Sequence, residues 1–260
     1  MHNNTEALIL DIPDKELGFT GYLTFPDGLL PRGIILMCPL PNKLMDKLPD
    51  EIVSTYTGKG FAVGEVHPLK DKKGKTDIQS MVIGYSALID KIRGKYKYLP
   101  IIAIGSTLST VAVRELAYRE SERLGGVVLI EPTIPMPSKF TMYRAGLISF
   151  IEGKEYRSDI LGEYGLTLHS TISYIKKAKE LNSADSINNY PKHMPTLILN
   201  AEDDALFEAL DNAYVSEVEK ALCSGKAEQT ERIISFIDSV IDGVNDALSS
   251  DSFIYRGTDI

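Results

Sequence analysis

Short apolar runs alternate along the chain with longer stretches whose apolar residues recur every three or four positions. Leu8–Leu10 and Tyr22–Phe25 are two short runs, the second closed by the turn triplet Pro26-Asp27-Gly28, and they predict a hairpin. Gly33-Ile34-Ile35-Leu36-Met37-Cys38 is continuously apolar, the mark of a strand covered on both faces. A helix is predicted from about Leu44 to Thr57, ending at Gly58 and Gly60, and a second buried strand over Phe61–Val66. Thr76–Ile92 carries Ile78, Met81, Val82, Tyr85, Leu88, Ile89 and Ile92 on one helical stripe. Pro100–Ile104 then reads as a strand, Leu108–Arg123 as a helix, and Gly126–Ile130 as a strand. Met194–Leu199 begins another strand. This alternation predicts the α/β class, with a mostly parallel central sheet flanked by helices.

The rhythm breaks between Pro132 and about Pro191. Pro132, Pro135 and Pro137 precede two or three irregular helical pieces. The expected organisation is a core from 1–131 and 192–260, with 132–191 as a helical lid or cap on the C-terminal edge of the sheet. Near the end, Asn212–Leu222 and Gln229–Leu248 both read as helices, and Phe253-Ile254-Tyr255 reads as an edge strand or a tail.

Composition narrows the function classes. The 260 residues are 43% hydrophobic and 25% charged, which are ordinary globular values. No stretch approaches the roughly 20 apolar residues of a membrane span, and no basic leader precedes an apolar run. A net charge of −8 argues against nucleic-acid partners. Two cysteines, Cys38 and Cys223, make no disulfide framework, and a reducing cytoplasm is the expected location. The four histidines lie far apart, with neither metal-ligand spacing nor a CxxC, so no metal is expected. Lys73-Gly74-Lys75-Thr76 imitates the end of a P-loop but lacks its start, and no GxGxxG is present, so no nucleotide cofactor is expected either.

The chemistry is concentrated in Ile101-Ile102-Ala103-Ile104-Gly105-Ser106-Thr107-Leu108-Ser109-Thr110. A buried strand runs straight into a helix through small residues, the arrangement of a G-x-S-x-G nucleophile elbow. Aligned on it, Gly105 takes the first glycine, Thr107 the nucleophile, Leu108 the following N–H and Ser109 the second glycine; Ser106 is the neighbouring hydroxyl. An ordinary strand–turn–helix with Ser106 or Thr107 as N-cap fits the same residues. Further along, Pro195-Thr196-Leu197-Ile198-Leu199-Asn200-Ala201-Glu202-Asp203-Asp204-Ala205-Leu206-Phe207 resembles the α/β-hydrolase run P-T-L-x-x-x-G-x-x-D-x-x-V, with Ala201 at the glycine and Phe207 at the valine, and that resemblance implies Asp204 as the acid, with Asp203 as its fallback.

On these stretches, and on Met45-Asp46 after the third strand, the chain resembles the α/β-hydrolases over about residues 30–248. Within them it is most similar to the acyl-transferase/thioesterase of bacterial bioluminescence, which releases fatty acids from acyl carriers. The resemblance implies an α/β-hydrolase-like fold, a Ser–His–Asp triad, acyl ester or thioester cleavage, and no metal or cofactor.

Three features depart from that pattern. Thr107 stands where serine is usual, and its extra methyl crowds a tight turn. The order nucleophile–acid–base requires a histidine after Asp204, and none follows His193. The final strand and its loop should fall near Ala221–Glu231 or at Phe253–Ile260, neither of which holds an imidazole. His67, at the end of the Phe61–Val66 strand, and His169, in the cap, are the substitutes. The loop after the first central strand, Cys38-Pro39-Leu40-Pro41-Asn42, should supply one oxyanion donor from Leu40 or Pro41, and proline has no N–H. Leu108 would supply the other.

Two readings follow. In one, the triad has degraded and a pocket remains for an acyl group, a small molecule or a protein partner. In the other, the chain is a working acyl esterase, thioesterase or acyltransferase that joins Thr107 or Ser106 to His67 or His169 and Asp204. Cys38 reads as a buried small hydrophobe. The sequence leaves the oligomeric state open.

Overall fold

A computed structural model describes residues 4–10, 18–38, 48–68, 78–132, 139–153, 168–202, 204–215 and 217–255. The first strands, β1 (Asn4–Ile9) and β2 (Phe19–Phe25), pair antiparallel as the expected hairpin. Then β3 (Ile34–Cys38), α1 (Asp50–Thr57), β4 (Ala62–Pro68), α2 (Ile78–Lys95), β5 (Ile101–Ser106), α3 (Ser109–Arg119) and β6 (Gly126–Ile130) follow in strict alternation. Three helices come next: α4 (Lys139–Glu152), α5 (Leu168–Leu181) and α6 (Ala184–Asn188). The chain closes through β7 (Thr196–Leu199), α7 (Ala205–Asn212), β8 (Val218–Ala221) and α8 (Lys226–Tyr255).

The eight strands form one sheet in the order β1-β2-β4-β3-β5-β6-β7-β8. Pairing is parallel from β4 through β8, and β2 meets β4 antiparallel. Residues alternate between two cores because a strand's period is two. Ile34, Leu36, Ala103, Val127 and Ile198 face one side, where α2, α3 and α5 bring Leu88, Leu116 and Tyr174. Ile35, Ile102, Ile104, Val128, Leu197 and Leu199 face the other, against Tyr56 of α1 and Phe236 and Ile237 of α8. Each fully buried side chain of this size contributes about 1.5–3 kcal/mol.

Two expectations fail at the C-terminal end. Asn212–Leu222 is not a helix: α7 ends at Asn212, and Val218–Ala221 is a strand paired with β7. Tyr214 and Glu217 sit at φ of +57° and +56°, which breaks a helix, and the open edge of β7 offers the ladder. Phe253-Ile254-Tyr255 is neither edge strand nor tail but the last turn of α8, since a nucleated helix gains a hydrogen bond with each added residue. The helix predicted from Leu44 begins only at Asp50, because extended Pro49 precedes it; residues 44–47 and the basic loop at Lys73–Thr76 lie outside the described residues. No helix among the described residues is long and apolar enough to cross a membrane.

Candidate functional site

The isoleucines of β5 make it a buried strand, and Gly105 ends it where backbone is closest. A Cβ there would lie 2.7 Å from Val113 Cγ2 and 2.8 Å from the Ser109 carbonyl, so only glycine fits between strand and helix. Thr107 then adopts φ of +47°, a left-handed conformation that β-branched residues rarely take. The turn around it is tied closely. Thr107 N–H donates to Ile130 O at 2.8 Å. Ser109 Oγ accepts from Ser106 N–H at 2.8 Å and donates to Ser106 O at 2.9 Å. Thr110 Oγ1 donates to Thr107 O at 2.5 Å. Thr107 Oγ1 itself donates to Ser106 O at 2.8 Å, so its proton rests on the backbone. The Leu108 N–H opens α3 with no acceptor among the described residues, at the positive end of the helix dipole.

This sharp turn stands at a switch point of the sheet. From β4 the chain crosses back over β3 to β5, so β3 and β5 are neighbours whose connections leave in opposite directions. A crevice outside the C-terminal ends of such strands is where open α/β sheets bind ligands. Cys38 of β3 lies opposite Gly105 there. Burial pushes its thiol well above the usual range, with the Tyr85 hydrogen bond acting the other way, so it stays protonated.

The acidic element lies two strands further along. Asn200, at φ of +51°, turns the chain out of β7 and accepts the Cys223 N–H on Oδ1 at 2.7 Å. Asp204 heads α7 without capping it, and its carboxylate pairs with Lys220 Nζ of β8. Asp204 is more than half exposed, so this pair is a weak surface contact. After β8 comes Leu222-Cys223-Ser224-Gly225. Ser224 donates from its N–H (2.7 Å) and Oγ (2.6 Å) to Glu228, which holds that carboxyl below its usual range and ties the turn before α8 to its first turn.

The comparisons with known proteins complete this geometry. No protein-family model matches the chain, and no curated protein matches it by sequence. Solved structures do. A thermostable carboxyl esterase from Bacillus coagulans superposes with a TM-score of 0.68 at 14% identity, over 91% of this chain and 99% of that one. An alpha/beta hydrolase, GrgF, from Penicillium sp. gives 0.65 at 13% identity, over 92% and 98%. A soluble variant of monoglyceride lipase from Saccharomyces cerevisiae gives 0.64 at 14% identity, over 91% and 96%. The chain has the α/β-hydrolase fold. In this chain Thr107 lies in the turn after β5, Asp204 follows β7, and Leu222–Gly225 is the loop after β8.

The other candidates are placed as follows. His67 ends β4, with Nε2 2.9 Å from Glu65 Oε2 but without the alignment of a hydrogen bond, and its ring stands edge-on to Tyr22. β3 separates β4 from β5, so the strand that carries His67 lies two strand spacings, about 10 Å, from the strand that leads into the elbow. His169 lies in the first turn of α5. His193 Nε2 lies 3.2 Å from Ser121 O, away from the elbow. Leu40, Pro41, Met45, Asp46 and Asp203 lie outside the described residues. Ser106 contributes its backbone groups to the Ser109 clasp. Among the described residues no three metal-ligating side chains cluster.

Four residues escape a reading of the sequence. Asn200 and Lys220 meet their partners only through β7–β8 pairing. Glu65 is buried and accepts the Leu48 N–H at 3.0 Å, fixing the chain just before α1. Its spacing from His67, two residues on a strand, was the available signal. Tyr85 donates from α2 to Met37 O, a contact 48 positions apart that nothing local announces.

Proposed function

We propose that this chain binds an acyl group or a similar carbonyl ligand at the Thr107 elbow and cleaves it weakly or not at all. The observation that carries the reading is the loop after β8. Leu222–Gly225 brings no imidazole beside the acid, and the Asp204 carboxylate is paired with Lys220 instead. A threonine hydroxyl whose proton already rests on a backbone carbonyl needs a base of near-neutral pKa to become a nucleophile. General-base assistance is worth about 10²–10⁴ in rate. In this reading the Leu108 N–H, at the start of α3, is the group that polarises a carbonyl or holds a carboxylate. The neighbours named as an esterase and a lipase support the acyl class.

The test has two arms. Turnover of p-nitrophenyl butyrate and of an acyl thioester should match that of Thr107→Ala, with no burst. Calorimetric titration with straight-chain carboxylates should show saturable binding at one site, weakened by Leu108→Pro, which removes the helix-start N–H. A burst lost on Thr107→Ala would overturn the catalytic part. Failure of every chain length to bind would overturn the ligand part.

A further inference from the structure

Helix α4 turns its most apolar face to water. Phe140 and Phe150 are 75% and 86% exposed, and Tyr143, Leu147 and Ile151 are exposed with them. At 3.6 residues per turn these five fall within an arc of about 100°. Arg144 lies at the edge of that arc, and Ile148, about 60° beyond Ile151, is half-buried. The neighbouring α5 adds exposed Ile172. Together the six side chains leave roughly 700 Å² in water, since each aromatic alone carries about 150–250 Å². A monomer rarely exposes a contiguous patch that large.

We infer that this stripe is the interface with a second copy of the chain, the two α4 helices packing antiparallel about a two-fold axis. Two observations select that occupant. The first is self-complementarity, the requirement of a two-fold interface. Phe140 and Phe150 are centred on position 145, and so are Tyr143 and Leu147. Antiparallel pairing therefore sets Phe140 against Phe150 of the other copy and Tyr143 against Leu147, twice over. The second is size, because a standard interface buries about 800 Å² per partner. A lipid surface suits α4 less. Lys139, Arg144 and Glu152 are its only charged residues, whereas a helix lying on a bilayer carries a strongly basic polar face. The net charge of −8 also opposes an anionic membrane.

Analytical ultracentrifugation of the full chain from about 1 to 100 µM tests the inference. The expected mass is twice 28.7 kDa. Leu147→Arg should weaken the dimer about 30-fold or more, as loss of a central interface residue does, while circular dichroism stays unchanged. In a Cys223→Ser background, Phe140→Cys and Phe150→Cys combined should form an intermolecular disulfide that neither single variant forms. A single-chain mass throughout the range, or a dimer indifferent to Leu147→Arg, would sink the proposal. So would a monomer that floats with phosphatidylcholine vesicles, which would assign the stripe to lipid.

Discussion

Thr107 concentrates the conflict between local preference and tertiary demand. Its φ of +47° suits glycine, and for a β-branched residue it costs on the order of 1–3 kcal/mol. The position is held because Thr107 N–H is needed by Ile130 O and because Ser109 clasps both backbone groups of Ser106. Thr107→Gly should therefore raise stability by about 1 kcal/mol and the melting temperature by about 2–4 °C in a thermal scan. Gly105→Ala should do the opposite, because its Cβ would press on the Ser109 carbonyl, and a loss of about 1–3 kcal/mol is expected. The two cysteines separate on the same scale. Cys38 is buried with a thiol held up by that burial, whereas Cys223 is partly exposed. Ellman's reagent should titrate one thiol per native chain and two after unfolding. A second fast thiol in the native protein would contradict this burial. The elbow was legible in the residue string, since glycine and small hydroxyls between a strand and a helix admit few geometries. The strain was not, because φ at Thr107 follows from what Ile130 and Ser109 do.

Elements near the site are fixed by a few buried polar ties. Arg114, buried in α3, donates to Asn182 Oδ1 and to Leu181 O, both at 2.6 Å, and so joins α3 to the end of α5. Arg114→Met keeps much of the apolar stem but strands two acceptors, and denaturant unfolding should show a loss of about 2–4 kcal/mol. β8 depends on a similar tie, the Asn200 amide that holds Cys223 N–H. The run from Asn212 to Leu222 carries Val215, Val218 and Ala221 at helical spacing, which is why it reads as a helix. It becomes a strand because Leu197 and Leu199 present an edge that a four-residue ladder can extend. Propensity is a weak prior when such an edge is available. For α1, β4, α2 and β5, by contrast, long periodic segments settled the element type, and only boundaries moved by a few residues.

At the scale of the molecule, the order β1-β2-β4-β3-β5-β6-β7-β8 sets on one side of the sheet three loops that lie far apart in the chain. The loops after β7 and β8 lie at the same C-terminal strand ends as the turn after β5, two and three strands away from it. None of these three loops carries an imidazole, so on the proposed reading supplying one should raise turnover. Thr107→Ser combined with Cys223→His should raise ester turnover about 10-fold or more above wild type, a fraction of what general-base assistance supplies. Rates that stay at the level of Thr107→Ala would contradict the reading that a missing base limits turnover.

The order of buried runs and amphipathic segments determined the α/β class, the parallel strands and the strand–turn–helix at Gly105–Thr110, because hydrophobic period and glycine placement act over neighbouring residues. Long-range pairing decided the rest. It made Val218–Ala221 a strand, gave Asp204 to Lys220, set His67 beside Glu65 across β3 from the elbow, and left the α4 stripe facing outward. Those outcomes depend on which groups the folded chain brings within a few ångströms of one another, and local sequence does not encode that.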